Sequence, residues 1–292
     1  MKLLSFEHDG RPRIGVLHRG TIVDMTEAVP GRELGMIDLL KMGEAGIALA
    51  ARAETGDAPR IPLEAVRLLA PVPRPGKYLG VGGNFESHLQ EAAHLGLKRP
   101  QLPIWFNKQT TCVTGPFEPI HLPRVSTQLD YECELGIVIG RRCRHVAAED
   151  ALDVIAGYVV CNDVSVRDWQ LRSPTATLGK SFDTHGPFGP YLVTRDEIGD
   201  PQALRIRSWV NGELRQEGST DEMLFSCAQL IADLSQVCTL EPGDVLATGS
   251  PRGCGGLRQP PVYLRAGDVV RMEIANVGVI ENTVIDEPDR IA

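Results

Sequence analysis

The chain has 292 residues, of which 42% are hydrophobic and 23% charged, and its formal net charge at pH 7 is -8. An acidic chain without a Lys/Arg run lacks the positive field that a phosphate backbone requires, which excludes nucleic acid as a partner. No apolar stretch is long enough for a signal peptide or a membrane span, and the 7 cysteines include no C-x-x-C pair. We therefore predict a cytoplasmic protein with no membrane partner, whose cysteines are small buried apolar residues.

The first seventy residues alternate short strands with turns and then change to helical spacing. Apolar residues recur at helical spacing between Ile37 and Leu49. The proline-rich stretch 71–76 can neither continue a helix nor donate to an inner sheet. We predict a small N-terminal α/β domain over residues 1–70 and a larger domain over residues 71–292. The predicted N-terminal strands cover residues 3–6, 13–17 and 21–24.

The larger domain is predicted to be mainly β, as a sandwich or roll, because its apolar segments are short and bounded by Gly or Pro. Helical spacing is confined mainly to residues 148–154 and 223–238. Asn211-Gly212 predicts a type I′ hairpin turn, since both residues readily take positive φ. The predicted strands cover residues 78–81, 135–139, 158–161, 191–193, 206–210, 244–247 and 269–274.

Three acidic residues are candidate metal ligands. Glu132 and Glu134 are two apart at the start of an apolar strand, so both carboxylates leave the same face. On a buried face, one must take a proton or a cation must neutralise the pair; the alternative is a solvated strand edge. Asp163 ends another apolar strand, where a lone carboxylate is costly. Oxygen ligands of this kind suit Mg²⁺ or Mn²⁺, with Ca²⁺ as a further option, and suit zinc poorly.

His88 and Glu91 are candidates for proton transfer. They lie three residues apart, so one helical turn would place the imidazole beside a carboxylate that raises its basicity. Such a pair can activate water, although an exposed helix contact is the alternative. We interpret the remaining histidines as structural: His8, His18, His94, His121, His145 and His185.

Four further residues are candidate contacts of an acidic substrate. Lys180 lies between the apolar residues Leu178 and Phe182, and a partly buried ammonium needs an anionic partner such as a carboxylate or an enolate. Arg167 and Gln170 follow Asp163 by four and seven residues, so a helical turn would direct all three to one place. Surface positions are the alternative for the lysine, Arg167 and Gln170. The fourth is Thr248, which opens a glycine-rich turn whose hydroxyl and amides can face a bound acid.

Read in order, these motifs resemble the fumarylacetoacetate hydrolase superfamily, over residues 71–285. The subgroup that the chain resembles in 167–170 and 180–191 contains hydroxydienoate isomerases, diketo sugar-acid hydrolases and an oxaloacetate tautomerase. The stretches that carry the resemblance are VGGNFESHLQE (81–91), TGPFEPIHLP (114–123), LDYECELGIVIG (129–140), NDVSVRDWQ (162–170), LGKSFDTHGPFGPYLVT (178–194), TLEPGDVLATGSPRGCGG (239–256) and PPVYLRAGDVVRMEI (260–274).

The resemblance implies a mixed β-sandwich roll, a homodimer, and a divalent cation held by Glu132, Glu134 and Asp163. It also implies catalytic roles for the matching residues His88, Glu91 and Lys180, and substrate contacts for the matching Arg167, Gln170 and Thr248. One departure is visible, because many members read Asn-Tyr-x-Asp-His where this chain has Phe85 and Ser87.

The function expected from these residues is metal-dependent hydrolysis of a carbon–carbon bond in an acylpyruvate or related diketo acid. The cation would hold the keto acid, His88 would draw a proton from water, and Lys180 would stabilise the oxyanion. A keto–enol tautomerase, isomerase or decarboxylase acting on oxaloacetate or a 2-hydroxydienoate would need the same groups. A non-catalytic ligand-binding member of the fold is the third alternative.

Overall fold

The computed structural model describes residues 1–56, 58–96 and 98–289, and short β-strands dominate this part of the chain. The strands are β1 (Lys2–His8), β2 (Arg11–His18), β3 (Thr21–Asp24), β4 (Arg60–Pro62), β5 (Arg67–Leu69), β6 (Tyr78–Gly82), β7 (Ile104–Lys108), β8 (Val113–Thr114), β9 (Ile120–Leu122), β10 (Leu129–Asp130), β11 (Cys133–Ile139), β12 (Ile155–Asn162), β13 (Ser165–Val166), β14 (Gly186–Thr194), β15 (Arg205–Val210), β16 (Glu213–Ser219), β17 (Val245–Ala247), β18 (Val269–Ile274) and β19 (Gly278–Asp286).

The α-helices are few and short compared with the strands. None of the helices in the described ranges is long and apolar enough to cross a membrane. Their bounds are α1 (Met36–Lys41), α2 (Glu44–Thr55), α3 (Glu86–Ala92), α4 (Arg167–Gln170) and α5 (Cys227–Val237).

The larger of the two main sheets runs in the order β4-β3-β2-β1-β14-β12-β11-β17-β6-β7. Strand β1 pairs antiparallel with both β2 and β14, so that Leu3 lies opposite Val16 on one side and Leu192 on the other. The strands of residues 1–70 therefore extend the same sheet that contains β11 and β12. The division of the chain into two domains at residue 70 stays a prediction.

The second sheet, in the order β16-β15-β18-β19-β9, packs on the first. One buried cluster combines Leu135 of β11 and Val160 of β12 with Ile206 of β15, Met272 of β18 and Ile231 of α5. Two sheets that bury facing apolar side chains form a sandwich, so the predicted mainly β fold with α/β elements is confirmed.

The predicted hairpin turn is present, whereas the two segments with helical spacing differ in part from the prediction. Asn211 and Gly212 have φ of 53° and 79° and connect β15 to β16 with Val210 opposite Glu213, which confirms the hairpin turn. The helix predicted to begin at Met223 begins only at Cys227, because the preceding Leu224 N–H donates to Asn84 at 2.8 Å. Residues 148–154 form a 3₁₀-helix.

One buried histidine gives the fold a dependence on pH. His185 is fully buried and its Nε2 lies 2.8 Å from the carbonyl of His121, while Nδ1 has no partner in the described structure. Burial lowers the pKa of His185 from 6.5 to about 3. The unfolded chain therefore takes up this proton at a higher pH than the folded chain does, and unfolding is favoured on acidification.

We predict that stability falls as the pH drops from 6.5 towards about 3, and that His185→Gln makes this dependence shallower. The measurement is urea unfolding at a series of pH values. The exposed His94, replaced in the same way, is the control. An unchanged slope in the His185 variant contradicts the assignment, whatever the variant's absolute stability.

Candidate metal centre and active site

Three acidic side chains from two neighbouring strands meet in the interior. Glu134 lies on β11, two residues after Glu132, and Asp163 directly follows β12, the partner of β11. The Asp163 N–H donates to the carbonyl of Glu132 at 2.9 Å, which holds the two strand ends together. One carboxylate oxygen from each lies within 4.8 Å of the others, and all three residues are buried. The structure thus brings together the three predicted ligands.

Two buried lysines neutralise part of this acidic cluster. Lys180 Nζ lies 2.5 Å from Glu132 Oε2 and 2.6 Å from Asp163 Oδ2. Lys108 Nζ lies 2.6 Å from Asp163 Oδ1. Although burial opposes its charge, the two carboxylates raise the pKa of Lys180 above its usual value. Lys180 is therefore a protonated donor at the centre of the cluster.

Glu134 has no cationic partner within the described residues. Its Oε2 accepts a hydrogen bond from the Gly249 N–H at 2.8 Å. Burial, followed by the nearby Asp163 and Glu132, raises the pKa of Glu134 well above its usual range. A divalent cation between the three acids would remove this repulsion, and three carboxylates are a donor set for Mg²⁺, Mn²⁺ or Ca²⁺. The residues present therefore fit such an ion.

Arg167, the first residue of α4, joins this helix to the cluster. Its Nη2 donates to Glu132 Oε1 at 2.9 Å, its Nε to Asp130 Oδ2 at 2.8 Å, and its Nη1 to Gln170 Oε1 at 2.9 Å. Although burial opposes ionisation, Arg167 and Lys180 hold the pKa of Glu132 well below its usual range. The predicted convergence of Arg167 and Gln170 near the acids is thus present in the structure.

His88 and Glu91 both lie on α3, but they contact different groups. His88 Nδ1 lies 3.9 Å from Cys254 Sγ, while Glu91 Oε2 accepts from the Gly253 N–H at 2.9 Å. Across the described ranges, no hydrogen bond or ion pair joins the two side chains. Burial is the main cause that lowers the pKa of His88, and Glu132 partly offsets it. The imidazole is therefore poised as a neutral base.

The turn after β17 positions α3 on the site. Thr248 is buried and its hydroxyl donates to the Leu135 carbonyl at 2.9 Å, so in this conformation Thr248 anchors the turn to β11. The carbonyl of Thr248 accepts from Asn84 Nδ2 at 2.8 Å, just before α3. Phe85 is fully buried in the core, and Ser87 Oγ accepts from the Arg252 N–H at 3.3 Å. The two residues that differ from the common family pattern therefore hold α3 in place, Phe85 by packing in the core and Ser87 by a hydrogen bond to the turn after β17.

The structure adds three residues to those singled out in the sequence. Lys108 is the last residue of β7 and is buried. The sequence did not indicate it, because no local pattern marks a buried lysine. Asp130 accepts from the Gly255 and Gly256 N–H groups, each at 2.8 Å, as well as from Arg167. Asp130 lies two residues before Glu132, and its place in this acidic segment was the available signal. Cys254, within the glycine-rich turn, lies 3.8 Å from Glu132 Oε1.

A cavity of about 570 Å³ adjoins α3 and the glycine-rich turn. Three of its lining residues are arginines, namely Arg215, Arg252 and Arg258. Arg252 is exposed and forms no ion pair with a described residue, whereas Nε of Arg215 is buried without a partner. Glu91 and Gly253 line the same cavity. Arg215 and Arg258 pair with Glu213 at 3.0 Å and 3.9 Å, so Arg252 is the arginine of this lining that has no ion pair with a described residue.

Residues 77–285 match the family described as fumarylacetoacetate (FAA) hydrolase C-terminal. This range includes every residue of the site described above. The chain therefore belongs to the fumarylacetoacetate hydrolase superfamily of enzymes, as its motifs predicted.

Individual relatives cover almost the whole chain. The chain is 42% identical over 290 residues to the mitochondrial oxaloacetate tautomerase Fahd2a of Rattus norvegicus, covering 98% of this chain and 92% of the relative. A fumarylacetoacetate hydrolase from Exiguobacterium antarcticum has a TM-score of 0.84 at 38% identity, covering 98% of this chain and all (100%) of that one. A maleylpyruvate hydrolase from Sphingobium sp. SYK-6, in complex with manganese (II) ion and pyruvate, has a TM-score of 0.81 at 33% identity, covering 99% and 100%.

We predict that one Mg²⁺ or Mn²⁺ binds the three acids and stabilises the fold by about 2.7 kcal/mol at a hundred times its dissociation constant. Thermal unfolding with and without the metal, followed by chelation, measures this. Asp163→Asn should abolish the shift, whereas the exposed Asp150→Asn, which changes the charge equally, should keep it. A shift of equal size in both variants places the ion elsewhere.

Proposed function

We propose that the protein is a divalent-metal-dependent keto–enol tautomerase of oxaloacetate. The observation that carries this proposal is the meeting of three buried carboxylates with a protonated lysine, close to a histidine that burial keeps neutral. The identity with the rat oxaloacetate tautomerase, which extends over almost the full length of the chain, supports the choice of substrate.

The proposed reaction moves one proton between C3 and the oxygen on C2 of the keto acid. Glu132, Glu134 and Asp163 would hold the cation, which would supply Lewis-acid polarisation of the substrate oxygens. In the keto-to-enol direction the neutral imidazole of His88 takes the proton from C3 and gives it to the oxygen on C2, and in the enol-to-keto direction it does the reverse. The Lys180 ammonium stabilises the negative charge on the C2 oxygen between the two transfers.

The separate contacts of His88 and Glu91 favour tautomerisation over hydrolysis. A base that activates water benefits from a carboxylate that orients its imidazole, and Glu91 instead accepts from the Gly253 N–H at 2.9 Å. Tautomerisation needs only one side chain to shuttle one proton. The observed arrangement is therefore sufficient for tautomerisation without a rearrangement of α3.

The arginine-lined cavity supports a substrate with two carboxylates. In oxaloacetate, one carboxylate adjoins the keto group and the other lies at the far end of the molecule. We assign the far carboxylate to the cavity beside α3, with Arg252 as its cationic partner, because Arg252 has no ion pair in the described structure. Charge-assisted hydrogen bonds of this kind fix orientation as well as affinity.

Hydrolysis of an acylpyruvate is the second candidate function. The likeness to maleylpyruvate hydrolase at 33% identity favours it, and the same acids and lysine would serve. In this reaction His88 would activate water for attack on the distal carbonyl. An acylpyruvate incubated with protein and Mn²⁺ in ¹⁸O-water distinguishes the two candidates, since only hydrolysis releases a second acid that carries the label.

We predict that His88→Ala lowers the rate of enol-to-keto conversion of oxaloacetate by about a hundredfold or more, because it removes the proton carrier. The loss of enol absorbance, corrected for the spontaneous reaction, measures this rate. His94→Ala is the matched control, because it removes an exposed imidazole from the turn that follows α3. Full activity in the His88 variant would exclude this histidine as the base.

We predict that Arg252→Ala lowers kcat/KM for oxaloacetate by about fivefold, the value of one exposed ion pair. With phenylpyruvate, which lacks the second carboxylate, the same variant should be unaffected. Arg142→Ala, at an exposed arginine that pairs with Glu241 at 2.9 Å, is the control. Equal losses on both substrates would mean that Arg252 does not recognise the far carboxylate.

A further inference from the structure

A second set of possible metal ligands lies directly beside the carboxylate cluster. His88, Glu132 and Cys254 each offer one donor atom, and these atoms all lie within 4.8 Å of one another. Cys254 Sγ lies 3.9 Å from His88 Nδ1 and 3.8 Å from Glu132 Oε1. This set differs chemically from the three acids, because it combines sulfur, nitrogen and oxygen.

The spacing of these donors is close to that of a tetrahedral zinc site. Zinc bonds of about 2.3 Å to sulfur and about 2.0 Å to nitrogen or oxygen place such ligand pairs roughly 3.5 Å apart. The observed distances of 3.9 Å and 3.8 Å exceed this by a few tenths of an ångström. Small side-chain rotations would therefore be enough to close the site around an ion. Three protein ligands would leave the fourth zinc position free.

The two carboxylate oxygens of Glu132 face different groups. Its Oε2 lies 2.5 Å from Lys180, inside the carboxylate cluster, while Oε1 lies next to Cys254. Arg167 also donates to Oε1 at 2.9 Å and competes for that atom. Among the described residues, the other contacts of Cys254 Sγ are also long, at 3.6 Å to Gln216 Nε2 and 3.7 Å to Ser250 Oγ. The sulfur therefore has no strong hydrogen-bond partner in the described part of the chain.

We propose that Zn²⁺ binds to His88, Glu132 and Cys254 and inhibits the enzyme. Binding replaces the thiol proton, which leaves to solvent, with a sulfur–zinc bond. It occupies the imidazole that shuttles the substrate proton and one oxygen of an acid that would hold the catalytic cation. Zinc suits this mixed donor set better than Mg²⁺, which prefers oxygen. The inhibitory effect rests on the proposed function, whereas the binding site does not.

The binding site is tested with Co²⁺ as a spectroscopic substitute for zinc. Titration of the protein should produce a sulfur-to-cobalt charge-transfer band in the near ultraviolet. Cys254→Ser should abolish the band and Cys238→Ser, at a half-buried cysteine on the end of α5, should keep it. A missing band in the wild type, or a band that persists in the Cys254 variant, overturns the proposal.

The inhibitory effect is tested by adding Zn²⁺ to oxaloacetate tautomerisation in the presence of excess Mg²⁺. Each variant is compared with its own rate without zinc. Cys254→Ser should raise the zinc concentration for half inhibition by at least about tenfold, and Cys238→Ser should leave it unchanged. Equal inhibition of both variants overturns inhibition through this site. If the protein has no tautomerase activity but shows the Cys254-dependent band, the zinc site stands and the proposed function fails.

Discussion

Enclosing several carboxylates within a protein interior is costly unless positive charge lies against them or a proton neutralises them. Among the residues that the structure describes, Lys108, Lys180 and Arg167 pair with all but one of the clustered acids, and the partner of Glu134 is a backbone N–H. The need to neutralise buried carboxylates therefore accounts both for the two buried lysines and for the site that Glu134 leaves open to a metal ion. The protein's own cations fix the geometry, while the unpaired acid makes the cluster suited to a further ion.

The scaffold explains why the cluster is held so closely. Strands β11 and β12 pair over their full length, and a side chain at Gly136 on β11 would collide with Cys161 and Val159 on β12. The absence of a side chain at Gly136 therefore leaves room for Cys161 and Val159 in the strand pair that carries Glu134 and leads into Asp163. The second sheet covers the opposite side of this strand pair with apolar side chains, so the acids lie on a rigid support.

The sequence predicted most strands and the three acids, because strand alternation and runs of apolar residues are local signals. The start of α5 was predicted four residues too early, since a tertiary contact of Leu224 overrides local spacing. The pairing of His88 with Glu91 was inferred from spacing alone, and the structure places a backbone N–H against Glu91. The role of Lys108 could not be predicted from the sequence, because its partner Asp163 follows a strand that is distant along the chain.

The arginines beside the active site and the groups that would perform the chemistry come from different parts of the fold. Arg252 and Arg258 belong to the turn after β17 and its continuation, and Arg215 belongs to β16, whereas the acids lie at the ends of β11 and β12. Substitutions at the rim can therefore accumulate without disturbing the central charges. A lineage built on this scaffold can diversify its substrates one surface residue at a time, while the inherited reaction chemistry persists.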